Sequence, residues 1–197
     1  MKDYTSAREY HEHELRLASI ENNAKGRANA LGNLGNTLRA LGLFSHAVDR
    51  CTDQLRIWRE LGNRNGEARA LYNLGNIYHA QAKVAASVPR DTQRALTEAI
   101  SYYESYLAIV KAMDDRTLMG RAYGNLGNAH YRLGSFETAI ECHLERLNIA
   151  EQHNDIAAQR RAYTNLGNAN VFLANYGDSV EYYQKGFELK VHFTLNL

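Results

Sequence analysis

An apolar pair, Leu-Gly, lies between two asparagines in the tetrapeptide Asn-Leu-Gly-Asn. This tetrapeptide recurs four times along the chain, at 33–36, 73–76, 125–128 and 165–168. The intervals between successive copies are 40, 52 and 40 residues, so the middle interval carries 12 additional residues. A fixed period of this size indicates a solenoid, in which each unit buries its apolar face against its neighbours. A side chain that recurs on one face of the unit would then form a long surface.

Each unit is predicted to contain two helices, with the tetrapeptide near the middle of the first. We expect helices A over 23–41, 65–82, 116–133 and 156–173, and helices B over 44–61, 93–113, 136–153 and 176–191. The turns carry suitable residues. Leu41-Gly42, Leu133-Gly134 and Ala174-Asn175 offer a glycine or asparagine for a left-handed C-cap, and Gly62-Asn63, Asp114-Asp115 and Asn154-Asp155 offer turn and N-cap residues.

The tetrapeptide glycines lie in mid-helix, where glycine costs roughly 1 kcal/mol relative to alanine. Close approach of helix B would explain why all four positions hold glycine. Helix B has a small residue 12 positions after each glycine, if the 12 inserted residues of the second unit are not counted. These small residues are Ala47, Ala99, Ala139 and Ser179, and the companion core leucines are Leu34, Leu74, Leu126 and Leu166. This contact resembles that of the tetratricopeptide repeat, with a unit longer than the usual 34 residues. The expected fold is all-α, a right-handed superhelix of about four and a half helix-pair repeats.

The expected organisation is a single array over 1–197. Its repeats are predicted at 23–61, 65–113, 116–153 and 156–191, after a helix-B-like segment at 4–19 and before a tail at 192–197. Because solenoids need polar terminal caps, the chain resembles a section of a longer array or a shortened product. Residues 83–94 hold the only proline and form the insertion, which we interpret as a solvated loop, with contact to a partner as the alternative.

Composition narrows the functional classes. The chain has 23 basic and 22 acidic residues, so the basic excess typical of nucleic-acid binders is missing. Cys51 and Cys142 are 91 residues apart, and we expect both to be reduced thiols that pack as small apolar residues. The N-terminal sequence has no secretory h-region and no apolar run reaches 18 residues, which predicts a cytoplasmic protein without a membrane span.

Polar residues recur on one face of helix A. An arginine precedes the first asparagine by four residues and the second asparagine follows by three, and positions i, i+4 and i+7 share a helical face. These helix-A stripes are Arg69-Asn73-Asn76, Arg121-Asn125-Asn128 and Arg161-Asn165-Asn168, and Asn29-Asn33-Asn36 is a fourth without the arginine. One further turn adds Arg132 to the third stripe.

The stripes predict a peptide-binding groove, because helices A line the concave side of a tetratricopeptide solenoid. An asparagine side chain both donates and accepts, so it can hold the backbone of an extended peptide, and the arginines favour carboxylates. Two alternatives remain open. The first asparagine of each copy can instead bond the neighbouring repeat, and the arginines can form salt bridges between repeats.

The segments GRANALGNLGNTLRALG, GEARALYNLGNIYHA, GRAYGNLGNAHYRLGSFETAI and RRAYTNLGNANVFLANY resemble the Leu-Gly-Asn repeat proteins, the Pins/LGN family of G-protein signalling modulators. The resemblance covers roughly residues 3–190. It implies binding of glutamate-rich segments of the Inscuteable and NuMA type, and roles in spindle orientation and cell polarity at the cell cortex. It matches Arg160 to the peptide-gripping pattern together with the stripe residues. The family binds Gα through GoLoco motifs, which this sequence does not contain.

The sequence predicts no enzyme, no cofactor and no metal site. His11 and His13 are two residues apart on a helix and cannot share a metal ion, and the other histidines are scattered. The tyrosine pairs of helix B, Tyr102-Tyr103 and Tyr182-Tyr183, are interpreted as helix packing. Two other functions remain as alternatives: an adaptor for motor or cargo proteins similar to the kinesin light-chain repeats, and the targeting domain of a larger enzyme.

Overall fold

The structure, a computed structural model, describes residues 3–195, and for 190–195 it describes the backbone alone. Within this range the secondary structure is helical throughout, which confirms the all-α class. The helices are α1 Tyr4–Ile20, α2 Ala24–Ala40, α3 Phe44–Glu60, α4 Arg64–Val84, α5 Pro89–Ala112, α6 Arg116–Leu133, α7 Phe136–Gln152, α8 Ile156–Phe172 and α9 Tyr176–Leu195. Helices α2, α4, α6 and α8 are the helices A, and each carries one tetrapeptide.

The turns before helices A use one residue in the left-handed region followed by an N-cap residue. The pairs are Asn22 and Asn23, Gly62 and Asn63, Asp114 and Asp115, and Asn154 and Asp155. Each N-cap side chain accepts a backbone hydrogen bond three residues on, as from Gly66 to Asn63 at 2.8 Å. This geometry ends one helix and starts the next within three residues.

Three of the four turns after helices A, those that follow α2, α6 and α8, also pass through the left-handed region. Gly42 and Gly134 have φ of +77° and +87°, as the sequence predicts. In the last of these turns Ala174, at φ +58°, takes the left-handed position that we assigned to glycine or asparagine. Asn175 follows it and donates from Nδ2 to Asn170 Oδ1 at 3.2 Å, which fastens the turn to α8.

The loop prediction for residues 83–94 was wrong. Helix α4 continues to Val84, a 3-10 turn spans Ala85–Ser87, and α5 begins at Pro89. Proline is compatible with the first turn of a helix, since its missing N–H would have no partner there. The Thr92 hydroxyl donates to Ala85 O at 2.6 Å across the turn. The insertion therefore lengthens two helices, and its side chains are nevertheless mostly exposed.

Two compact units divide the chain inside α5, after Ile109. In unit 1, α2 packs between α1 and α3 and also touches α4, which packs on α3. In unit 2, α6 packs on α7, α7 on α8 and α8 on α9, and α6 touches α8. The predicted core leucines are buried in both units: Leu34, Leu74, Leu126 and Leu166.

The tetrapeptide glycines permit close packing of helix B, as predicted: the Ser179 hydroxyl donates to Gly167 O at 3.0 Å. A second, larger residue, which the sequence interpretation did not place there, also covers each glycine. The small residues Ala47, Ala99, Ala139 and Ser179 are buried, and the side chain one turn further along helix B covers each glycine. An added Cβ would lie 2.4 Å from Cys51 Sγ at Gly35, and 2.5, 2.6 and 2.6 Å from ring atoms at the other three glycines. The rings are those of Tyr103 over Gly75, His143 over Gly127 and Tyr183 over Gly167. Since these side chains fill the space of a Cβ, the glycines are required by packing.

Several smaller predictions are also decided by the structure. Cys51 and Cys142 form no disulfide, and Cys51 is buried in α3. Tyr103 is fully buried, and the Tyr78 and Tyr102 rings stack 5.6 Å apart, which confirms the packing role of that tyrosine pair. Among the described residues, no helix combines the length and the apolar character that crossing a bilayer requires.

Candidate functional site

In unit 1 the helix-A stripes of α2 and α4 are joined side by side. The guanidinium of Arg69 donates to the Asn29 side-chain oxygen, and its Cζ lies 5.8 Å from the centroid of the Trp58 ring. Further along the same two stripes, Asn36 Nδ2 donates to Asn73 Oδ1 at 3.3 Å. Neighbouring helices A are therefore linked through the polar side chains that we assigned to a groove.

The two asparagines of one copy differ in exposure. Asn73 is only 6% exposed, and it donates to Gln54 Oε1 at 3.3 Å while it accepts from Asn36. Asn33, at the same position of the preceding repeat, is exposed. Asn76 is half-buried and accepts from the Tyr103 hydroxyl at 2.9 Å. For Asn73, the structure therefore shows the bond to the neighbouring repeat that remained open from the sequence.

In unit 2 the same pairing recurs between α6 and α8. Asn165 Nδ2 donates to Asn128 Oδ1 at 3.1 Å, and the Tyr183 hydroxyl donates to Asn168 Oδ1 at 2.7 Å. Asn125 has a buried Nδ2 without a hydrogen-bond partner among the described residues. The four asparagines are half-buried, so Asn128, Asn165 and Asn168 combine a structural bond with partial access from solvent.

The arginines of unit 2 meet around two adjoining clefts. The smaller cleft, of about 210 Å³, is lined by Arg121 and Arg161 together with His153 and Asp155. The larger, of about 420 Å³, is lined by Arg160, Arg161, Thr164 and the asparagine pair Asn128 and Asn165. Arg146 lines both clefts. We call these clefts and their lining residues the arginine site.

Arg146, on α7, was missed by the sequence interpretation. Its guanidinium crosses α6 at Gly124, where an added Cβ would lie 2.7 Å from Nη1. Unit 1 has the same arrangement, since an added Cβ on Gly32 would lie 2.2 Å from Gln54 Nε2. In both cases a glycine directly precedes the tetrapeptide, and a long polar residue lies 22 positions later. That spacing is the signal that sequence analysis lacked.

The arginine site has an excess of positive charge. Burial, and then the nearby charge of Arg161, lower the pKa of Arg146, while Asp155 acts in the opposite direction. Within residues 3–189, no carboxylate lies within ion-pair distance of Arg121, Arg146, Arg160 or Arg161. The alternative that the stripe arginines form salt bridges between repeats thus does not hold for Arg121 and Arg161. A partly buried, unpaired guanidinium favours an anionic ligand.

The remaining predicted residue, Arg132, is half-buried near the end of α6 and lines neither cleft of the arginine site. The structure thus brings Arg121, Arg160, Arg161, Asn128 and Asn165 together in unit 2. In unit 1 it brings Asn36, Arg69, Asn73 and Asn76 into one hydrogen-bonded face with Asn29, Gln54 and Tyr103.

Comparison with known proteins identifies the repeats. Sequence models of the tetratricopeptide repeat match residues 26–93, 122–157 and 161–190, which together make up more than half of the chain. Among solved structures, RapI superposes with a TM-score of 0.79 at 14% identity, over 95% of this chain and 49% of RapI. MamA superposes with a TM-score of 0.63 at 20% identity, over 98% of this chain and 91% of MamA. These likenesses concern the fold alone.

Curated relatives are more similar in sequence. The human G-protein-signaling modulator 1 is 47% identical over 150 residues, which are 71% of this chain and 22% of the human protein. The mouse protein of the same name is 46% identical over 147 residues. The chain thus spans about a fifth of the length of these relatives. The tetratricopeptide repeats make the chain a protein-interaction scaffold. It belongs to the tetratricopeptide-repeat family, with the Leu-Gly-Asn repeats of the Pins/LGN signalling modulators.

Proposed function

We propose that the helix-A stripes bind an extended acidic peptide, and that the arginine site of unit 2 receives its carboxylates. The observation that carries this proposal is the set of four arginines, Arg121, Arg146, Arg160 and Arg161, that have no carboxylate partner among the described residues. Four guanidiniums around adjoining clefts repel one another, and each glutamate that binds relieves this repulsion. Paired N–H donors on each guanidinium match the two oxygens of a carboxylate.

The asparagines have a second role in this proposal. Because Asn128 and Asn165 bond each other, their orientation is fixed before a peptide arrives. Fixed donors and acceptors lose less side-chain entropy on binding than free ones. Asn125 has a buried amide donor without a partner, which a peptide carbonyl would satisfy.

Unit 1 would contribute weaker, less charged contacts. Its stripe carries one arginine, Arg69, already bonded to Asn29 and placed beside Trp58. The residue that crosses the glycine is the neutral Gln54 instead of an arginine. We therefore expect unit 1 to contact peptide backbone and polar side chains, and unit 2 to select for acidic residues.

The partners follow from the family. The relatives are G-protein-signaling modulators, so peptides of the Inscuteable and NuMA type are the proposed ligands. Spindle orientation, cell polarity and a place at the cell cortex are proposed on the same ground. Binding to Gα is proposed only through GoLoco motifs, which the 197 residues do not include.

The experiment is a titration of the full chain with a fluorescently labelled, glutamate-rich Inscuteable-type peptide. Arg161→Glu should weaken binding by roughly 1–3 kcal/mol, since it removes a shared cation and adds a repelling charge. Arg116→Glu is the matched control. Arg116 lies on the neighbouring helix α6, is exposed, and pairs with Asp114 at 3.1 Å outside the arginine site.

Equal affinities for the two variants would contradict the proposal, because both carry the same change in net charge. A loss confined to Arg161→Glu would support it. The titration should be repeated at high salt, since interactions between exposed charges are screened over about 8 Å at physiological ionic strength.

A further inference from the structure

Unit 1 contains a cleft of about 430 Å³ that no helix-A stripe reaches, between α1, α2 and α3. Its floor is made of leucines, among them Leu34 and Leu38 of α2. Its rim carries basic groups from the two flanking helices, and Glu12 is the one acidic residue among those that line it. We call it the α1–α3 cleft.

The position of Arg8 in this cleft departs from the repeat pattern. Counting along the repeat period, the same position of helix B holds an aliphatic residue in each of the four repeats: Val48, Ile100, Ile140 and Val180. In α1 it holds an arginine, whose Nε is buried without a hydrogen-bond acceptor. Glu12 Oε1, 3.4 Å away, forms an ion pair with this Nε but no hydrogen bond. A buried guanidinium nitrogen with no acceptor is unfavourable unless a ligand supplies one.

The other two arginines of the rim lack even this contact with a carboxylate in the described part of the chain. Arg16 and Arg50 form no ion pair among the described residues, and His46 is exposed beside them. Three guanidiniums thus face one carboxylate above an apolar floor. A ligand that fits needs an aliphatic group for the leucines and carboxylates for the arginines.

We propose that the α1–α3 cleft is a second binding site, for an acidic peptide segment in which a leucine-like side chain lies next to glutamates. The leucine side chain enters the cleft, and the glutamates pair with Arg8, Arg16 and Arg50. The floor leucines are recessed, since Leu34 and Leu38 are 3% and 6% exposed. A protruding side chain reaches such a floor, whereas a flat lipid surface does not, which favours a peptide over a membrane. The site is independent of the arginine site, with which it shares no residue.

The test uses the full chain with ¹³C-labelled leucine methyl groups, titrated with the acetylated and amidated hexapeptide Glu-Leu-Glu-Glu-Leu-Glu. Saturable shifts are expected at Leu34, Leu38 and Leu43, with a dissociation constant of roughly 1 mM or tighter. Arg8→Leu and Arg50→Leu should each weaken binding by about tenfold. Arg56→Leu is the matched control on α3, because Arg56 is exposed and already pairs with Asp53 and Glu60. Arg161→Glu should leave these methyl shifts unchanged.

The Arg8→Leu variant also shows whether a loss of binding is caused by unfolding. It restores the aliphatic residue of the other repeats, so its melting temperature should equal or exceed that of the unchanged chain. The proposal is overturned if the floor leucines do not shift, or if Arg8→Leu binds as tightly as Arg56→Leu. It is also overturned if the glutamine analogue of the peptide binds equally well, or if phosphatidylserine vesicles shift the leucines and the peptide does not.

Discussion

The guanidinium of Arg146 occupies the place where a side chain on residue 124 would begin: a Cβ added to Gly124 would lie 2.7 Å from Arg146 Nη1 and 3.0 Å from its Cζ. The glycine is thus what allows an arginine of helix B to reach the face of helix A. In the repeat formed by α4 and α5, the same position holds Tyr72, which packs against Tyr106 at a centroid distance of 5.3 Å. In this repeat a tyrosine therefore replaces the glycine of helix A, and another tyrosine replaces the arginine of helix B, so no cation reaches the face of helix A at this position.

The first prediction is that Gly124→Ala weakens peptide binding. The added methyl group displaces the Arg146 guanidinium from the arginine site, while alanine favours the helix by roughly 1 kcal/mol. We expect an affinity loss of about tenfold without a loss of helicity, measured by titration and circular dichroism. Gly177→Ala, in the first turn of α9, is the control, because a Cβ there would meet no atom within 4 Å and the residue lies outside the arginine site. Equal affinity of the two variants for the peptide would show that Arg146 does not contribute to peptide binding.

The second prediction concerns the hydroxyl that joins helix B to the tetrapeptide in unit 1. Tyr103 is fully buried and donates to Asn76 Oδ1 at 2.9 Å. Tyr103→Phe keeps the ring over Gly75 but removes the donor, so the free energy of unfolding should fall by about 1–2 kcal/mol. Urea denaturation followed by circular dichroism measures this change.

Tyr102→Phe is the matched control for that experiment. The Tyr102 ring stacks on Tyr78, and its hydroxyl makes no hydrogen bond among the described residues. Its removal should change the unfolding free energy by less than about 0.5 kcal/mol. If the two variants lose stability equally, the Asn76 bond does not stabilise the unit.

The third prediction is a loss of stability in mild acid that depends on His143. Burial, and then the charge of Arg146, lower the pKa of His143 to about 4 from its usual 6.5. Between pH 6.5 and pH 4, His143 binds a proton in the unfolded chain but not in the folded chain. The free energy of unfolding therefore falls as the pH drops from 6.5 towards 4. At pH 5 the loss from this residue should be about 2 kcal/mol relative to pH 7.5.

His143→Tyr separates this effect from the titration of carboxylates. Tyrosine fills the same place over the tetrapeptide glycine at Tyr103 and Tyr183. The variant should keep about 2 kcal/mol more of its stability between pH 7.5 and 5 than the unchanged chain does. Parallel pH profiles of urea midpoints would show that His143 does not titrate as described.

The repeat and the helices were predictable because their signals are local. Glycine, asparagine and aspartate mark the turns, and the tetrapeptide fixes the register of each helix A. The insertion was misread because its proline was taken as a sign of a loop. At the first turn of α5 that proline is compatible with a helix.

The candidate site was only partly predictable, because its remaining features depend on neighbouring helices. Asn33 and Asn73 hold the same position in the repeat, yet Asn33 is exposed and Asn73 is buried against Gln54 and Asn36. Arg146 belongs to helix B and reaches the site only because residue 124, on another helix, is glycine. Such pairs become visible in the sequence once the 22-residue spacing is known.

The most direct test of the account is a charge exchange between Arg161 and the peptide. Each glutamate of the Inscuteable-type peptide is replaced in turn by lysine, and every peptide is titrated against the unchanged chain and against Arg161→Glu. If Arg161 pairs with a glutamate, one lysine peptide should bind the variant at least about tenfold more tightly than the original peptide does. If every lysine peptide binds the variant no better than the original peptide, Arg161 does not pair with a peptide carboxylate and the proposed site is wrong.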